Sequence, residues 1–114
     1  MSLIYKIAPA ALWHEVQAQG AFGGAPVDLA DGYIHFSTAD QLRETANKHF
    51  AGQDDLLLVA VDPAKLGAAL RYEPSRGGAL FPHLYAPLSL AAVLWVKPLP
   101  RAADGAFVFP DLAE

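Results

Sequence analysis

The chain has no cysteine among its 114 residues. That absence removes disulfides, thiolate metal sites and cysteine nucleophiles, and it points to a reducing compartment, so a cytoplasmic location is expected. Basic residues are few and scattered: eight Lys and Arg against twelve Asp and Glu give a formal net charge of −4. An extended nucleic-acid surface is not expected from such a balance, although one or two arginines suffice to hold a small phosphorylated ligand. Long apolar runs are also missing. Leu56 to Val61 and Leu90 to Val96 are strand-length stretches, far below the roughly 20 residues that cross a bilayer, so no membrane association is expected. The opening Met1-Ser2-Leu3-Ile4-Tyr5-Lys6 lacks the basic-then-apolar pattern of a secretion signal.

Apolar material is plentiful, at 54% of residues, enough for one core in a single domain spanning residues 1–114. Leu3 to Ile7 alternates as a first strand near a sheet surface. Pro9 then suits the first turn of a helix, and Leu12, Trp13 and Val16 recur at helical spacing until Gly20, which predicts a helix over Pro9 to Gln19. The segment Gly20 to Pro26 is rich in breakers and reads as a mobile loop. From Thr38 the period becomes helical through Ala39, Leu42, Ala46 and Phe50, with Thr38 and Gln41 matching a capping box.

Strands follow. Leu56 to Val61 is continuously apolar and reads as a central strand covered on both faces. Ala69 to Glu73, Leu80 to Leu88, Leu90 to Lys97 and Ala106 to Phe109 complete the set, with Pro82 and Pro87 expected to confine the second of these to an edge. Two early helices followed by strands predict an α+β domain, the helices packed on small, largely antiparallel sheets.

Two polar-aromatic clusters are candidate site segments. In Tyr33-Ile34-His35-Phe36-Ser37-Thr38, strand alternation places Tyr33, His35 and Ser37 on one face and leaves Ile34 and Phe36 for the core. The helix that follows offers free N–H groups suited to an anion. In Phe81-Pro82-His83-Leu84-Tyr85 the same alternation groups Phe81, His83 and Tyr85 as an aromatic wall with a polar edge. A cleft between the two strands is the expectation. Arg71 and Glu73 share a strand face, as pocket neighbours or as an exposed ion pair, and Arg76 is the loop cation best placed for a phosphate or carboxylate. His14 and His49 fall on helices and are set aside. The alternative for both clusters is plain structural chemistry, a satisfied strand–helix junction and an aromatic edge. No His pair at ligand spacing on one element and no Gly-x-Ser-x-Gly elbow is present, so neither a metal nor a serine hydrolase is expected.

The segments Ile4-Tyr5-Lys6-Ile7, Gly32 to Thr38 with Gln41, Leu56 to Val61, Arg71-Tyr72-Glu73 and Phe81 to Tyr85 together resemble the bacterial domain-of-unknown-function 952 family over nearly the whole chain. The resemblance implies a fold similar to the ADP-ribosyltransferase group, whose active members bind nicotinamide adenine dinucleotide. In those terms His35 matches the histidine that holds the nicotinamide-side ribose, and Tyr85 the stacking tyrosine. Glu73 is left as the catalytic acid although it precedes Tyr85, whereas the group's glutamate follows the tyrosine. The function expected is therefore binding of a nucleotide-like or phosphorylated small molecule, with ADP-ribose transfer implied by resemblance alone. The alternative is a noncatalytic small-ligand or protein interaction module.

Overall fold

The computed structural model describes residues 3–74 and 78–112. Arg76 lies outside the described residues. The elements are β1 (Ile4–Pro9), α1 (Ala10–Gln19), β2 (Ala21–Phe22), α2 (Pro26–Asp31), β3 (Ile34–His35), β4 (Ser37–Thr38), α3 (Leu42–His49), β5 (Leu56–Val61), β6 (Leu70–Pro74), β7 (Leu80–Leu84), β8 (Leu88–Ser89) and β9 (Val93–Pro98). Every strand pairing among the described residues is antiparallel, so the domain is α+β. Among the described residues no helix is long and apolar enough to cross a membrane.

A four-stranded sheet in the order β4-β1-β5-β9 forms the centre. Its β5 strand has apolar side chains on both faces, which is why the sequence there is an unbroken hydrophobic run. Val59 and Val61 pack with Trp13, Val16, Phe22, Ile34, Phe36 and Leu84 on one side. Leu58 and Ala60 pack with Tyr5, Ile7, Leu42, Ala46, Leu99 and Phe107 on the other. The β1 strand is interior rather than near a surface: its neighbours are β4 and β5, and Ile4 to Ala8 are all buried, Lys6 included.

The second sheet, β3-β7-β6, corrects the expectation for Pro82. β7 is its central strand, and Pro82 pairs with Tyr72 on β6 while its carbonyl accepts the Phe36 N–H at 3.0 Å. In an antiparallel ladder a residue's N–H and C=O point to the same side, so the donor missing from proline is missing on the β3 side. The ladder between β3 and β7 ends there, and the chain turns at Phe36 to enter the first sheet as β4. The His35 and His83 strands are therefore neighbours in one sheet, not the two walls of a cleft, while Ser37 and Thr38 belong to the other sheet.

Three α-helices, not two, occur among the described residues. The extra one, α2, lies where the loop from Gly20 and the lead into the Tyr33 strand were expected. Pro26 opens it and the Asp28 side chain accepts the Ala25 N–H at 2.7 Å. Gly32, at φ +87°, ends it with its N–H on the Asp28 carbonyl. Gly24 is required by close approach as well as by its φ of +127°, since a Cβ there would lie 2.9 Å from Asp28 Cβ. α3 starts later than Thr38: residues Ala39–Gln41 form a 3-10 turn first. Ala106 to Phe109 is not a strand and contributes one bridge, Phe107 with Arg101.

Candidate functional site

β4 pairs with β1 only at Ile4 and Tyr5, whereas β1 runs on to Pro9 against β5. Beyond Tyr5 no strand among the described residues lies on the β4 side of β1. A cavity of about 440 Å³ lies there, reaching β1 at Tyr5, Lys6 and Ile7, α3 at Thr45 and His49, and the Tyr33 and Phe81 segments.

On that last wall His35 and His83 are directly opposed across β3 and β7, which puts their side chains on one sheet face. Tyr33 stacks on His83 with ring centroids 4.1 Å apart and approaches His35 at 4.7 Å. Tyr33, His35 and Ser37 share the cavity with Phe81 and His83, so alternation in both segments led to one place. Thr38 does not line the cavity; its N–H is held by Gln41 Oε1 at 3.0 Å, and Gln41 Nε2 donates to the Leu80 carbonyl at 2.7 Å. Ser37 Oγ shares a hydrogen bond with Thr45 Oγ1 at 2.8 Å.

The residue that organises the cluster is Asp28, which the sequence reading did not single out. Its carboxylate is 1% exposed. Oδ1 accepts from His35 Nδ1 at 2.6 Å, the His35 backbone N–H at 3.1 Å and Lys6 Nζ at 3.0 Å, while Oδ2 accepts from Ala25 N–H and lies 2.9 Å from Lys6 Nζ. Burial works to raise its pKa, but the His35 bond, the Lys6 charge and the remaining donors outweigh that and hold the carboxyl at about 2. Burial pushes the Lys6 ammonium below its ordinary value, opposed by Asp28. The local signal for Asp28 was a capping acid after Pro26; its partnership with Lys6, 22 residues away, had none.

His35 Nε2 lies 2.9 Å from Asp31 Oδ2.

Glu73 is not paired with Arg71 as an exposed ion pair. Its Oε1 accepts from Tyr85 OH at 2.7 Å and pairs with His83 Nδ1 at 2.8 Å. The Tyr85 bond and then the His83 bond lower the Glu73 pKa, and the same Glu73 bond raises that of Tyr85. Arg71 sits with its guanidinium 5.3 Å from the Tyr85 ring centroid. Tyr85 is half-exposed and lines a separate shallow depression on the other side of Tyr33. His35, Glu73 and Tyr85 are thus linked through Tyr33 and His83, but of the three only His35 reaches the cavity. His49, set aside from the sequence as a helix residue, does line it. Its position one turn after Thr45 on α3 becomes informative only once α3 is seen to face β1.

At the helix start expected to favour an anion, a 3-10 turn carrying Asp40 precedes α3, and Gln41 Oε1 accepts the Thr38 N–H. Among the described residues no group of three His, Asp or Glu side chains is arranged to hold a metal ion.

Comparison with known proteins agrees with the sequence resemblance at family level. The crystal structure of protein CC0527 from Caulobacter crescentus is similar to this chain, with 51% identity over 93% of each chain and a TM-score of 0.89. The solution structure of CC0527 gives 52% identity over 91% of this chain and 90% of that one, with a TM-score of 0.82. No curated protein matches the sequence. The family model described as "Protein of unknown function (DUF952)" matches residues 7–96, and the chain belongs to that family.

Proposed function

We propose that the cavity binds a nucleotide-like small molecule, with a planar ring against Tyr33 and His83 and hydroxyl groups near His35 and Ser37. The observation that carries this reading is the convergence of two sequence-distant polar-aromatic segments on one cavity of about 440 Å³, within the usual range for small-ligand sites. Aromatic faces supply stacking, and a few convergent polar groups supply orientation. Transfer of ADP-ribose is the catalytic version, with His35 orienting a ribose, Tyr85 stacking and Glu73 as the acid.

The noncatalytic version has a specific observation in its favour. Both recorded donors to Glu73 converge on Oε1, and neither Glu73 nor Tyr85 lines the cavity. Binding without transfer is the reading supported best. The test is a titration with nicotinamide adenine dinucleotide and ADP-ribose while recording the ring resonances of the four histidines. Saturable shifts at His35 and His83 are expected; silence at millimolar ligand would end the nucleotide reading. An assay for nicotinamide release on the same samples separates transfer from binding.

A further inference from the structure

His83 is 3% exposed, and its Nδ1 is occupied by Glu73. Among the described residues its Nε2 has no hydrogen-bond partner, yet the one fully buried side-chain nitrogen or oxygen left unpaired among them is Trp13 Nε1. His83 Nε2 is therefore accessible, and the space His83 lines is the cavity. With Nδ1–H donating to the Glu73 carboxylate, the Nδ1–H tautomer turns a lone pair, an acceptor, into that space.

The backbone adds a second feature. Ala10 N–H donates to the Asp55 carbonyl at 2.8 Å, continuing the ladder between β1 and β5. Alternation from Ala10 turns Ala8 and Lys6 toward β5 and Ile7 away from it. The Ile7 N–H and C=O thus point to the β4 side of β1, where β4 has ended and the cavity begins.

The charges at the cavity point the same way. The Lys6 ammonium is engaged by both oxygens of Asp28. Asp31 lines the cavity as a carboxylate, while Arg71 lies over Tyr85, which does not line it. A phosphate entering here would meet a carboxylate and no uncommitted Lys or Arg among the described lining residues.

We infer that the cavity accepts the uncharged, hydrogen-bond-donating end of its ligand, the nucleoside end of a nucleotide, with His83 Nε2 as the acceptor for an N–H or O–H and any phosphate left outside. This inference rests on the nucleotide reading above and makes His83 the residue that decides which end enters.

The experiment is nitrogen-detected nuclear magnetic resonance of the full chain with labelled histidine, titrated separately with adenosine and with inorganic phosphate. The expected result is the Nδ1–H tautomer of His83 before ligand, a saturable change at its Nε2 with adenosine, and no change with phosphate. His83→Phe, which keeps a ring but has no acceptor, checked for folding by its amide spectrum, should weaken adenosine binding about tenfold, as loss of one well-placed hydrogen bond does. Should that variant fail to fold, the tautomer and titrations of the wild-type chain still decide the matter. An Nε2–H tautomer, or saturation by phosphate with adenosine silent, would overturn the inference and leave a small-ligand cavity standing. Silence with adenosine while the dinucleotide saturates would overturn the inference alone; silence with both would remove the nucleotide reading as well.

Discussion

His35 and His83 face each other across one strand pair, and each gives its Nδ1 side to a carboxylate, yet the two pairs are built differently. Asp28 is buried and gathers donors from β1, from the start of its own helix and from both the backbone and ring of His35. Glu73 is part-exposed and takes two donors from β7 and the residue after it. The first pair joins three elements in low dielectric, where a missing partner leaves a stranded charge. The second sits at a surface and sets the orientation of one ring. Similar chemistry thus serves cohesion in one place and tuning in the other.

The largest effect that would sharpen this contrast is expected from Asp28→Ala, which strands the buried Lys6 ammonium. A loss of about 3–5 kcal/mol in urea denaturation is expected, as for other broken buried ion pairs; a loss under about 1 kcal/mol would mean that Asp28 is no keystone. Acid should act on the same joint. Because the folded-state pKa of Asp28 is held at about 2, below the ordinary 3.8, its contribution is present above the ordinary value. It is lost as pH falls through 3.8 toward 2, by about 2 kcal/mol. Denaturation at a series of pH values measures this, and Asp28→Asn should flatten the slope in that window.

Removing His35 should be milder for stability, since Asp28 keeps Lys6 and two backbone donors. His35→Ala is expected to cost about 1–2 kcal/mol and to weaken ligand binding in the cavity; full affinity in a folded variant would take His35 out of the site. The smallest effect on folding is expected for Glu73→Gln. Its melting temperature should match that of the wild-type chain while the His83 ring resonances move. A drop as large as that of Asp28→Ala would erase the distinction between the two pairs.

Much of this arrangement is legible locally. Period-2 alternation grouped Tyr33 with His35 and Ser37, and Phe81 with His83, because both segments are extended and side-chain direction in a strand needs no tertiary information. The continuous apolar run of β5 gave away its central position for the same reason. Pro82 misled because the rule against proline inside a sheet concerns hydrogen bonds, and the partner strand here stops where the donor is missing. α2 was hidden because Gly23-Gly24-Ala25-Pro26 reads equally well as a loop or as the entrance to a short helix. Asp28 and Lys6 were invisible as a pair, since nothing local in an acid on α2 points to a lysine on β1.

By itself the sequence determined a cysteine-free α+β chain, the positions of its long strands, the helix faces turned to the core, and two segments that present polar aromatics on one side. The tertiary structure decided that the His35 and His83 strands are neighbours in one sheet, that the cavity lies where β4 leaves β1, and that Asp28 locks Lys6 to His35. The division follows from range. Periodicity, capping and turn chemistry act over a few residues, whereas a buried charge finds its partner only when distant strands close on each other and water is excluded between them.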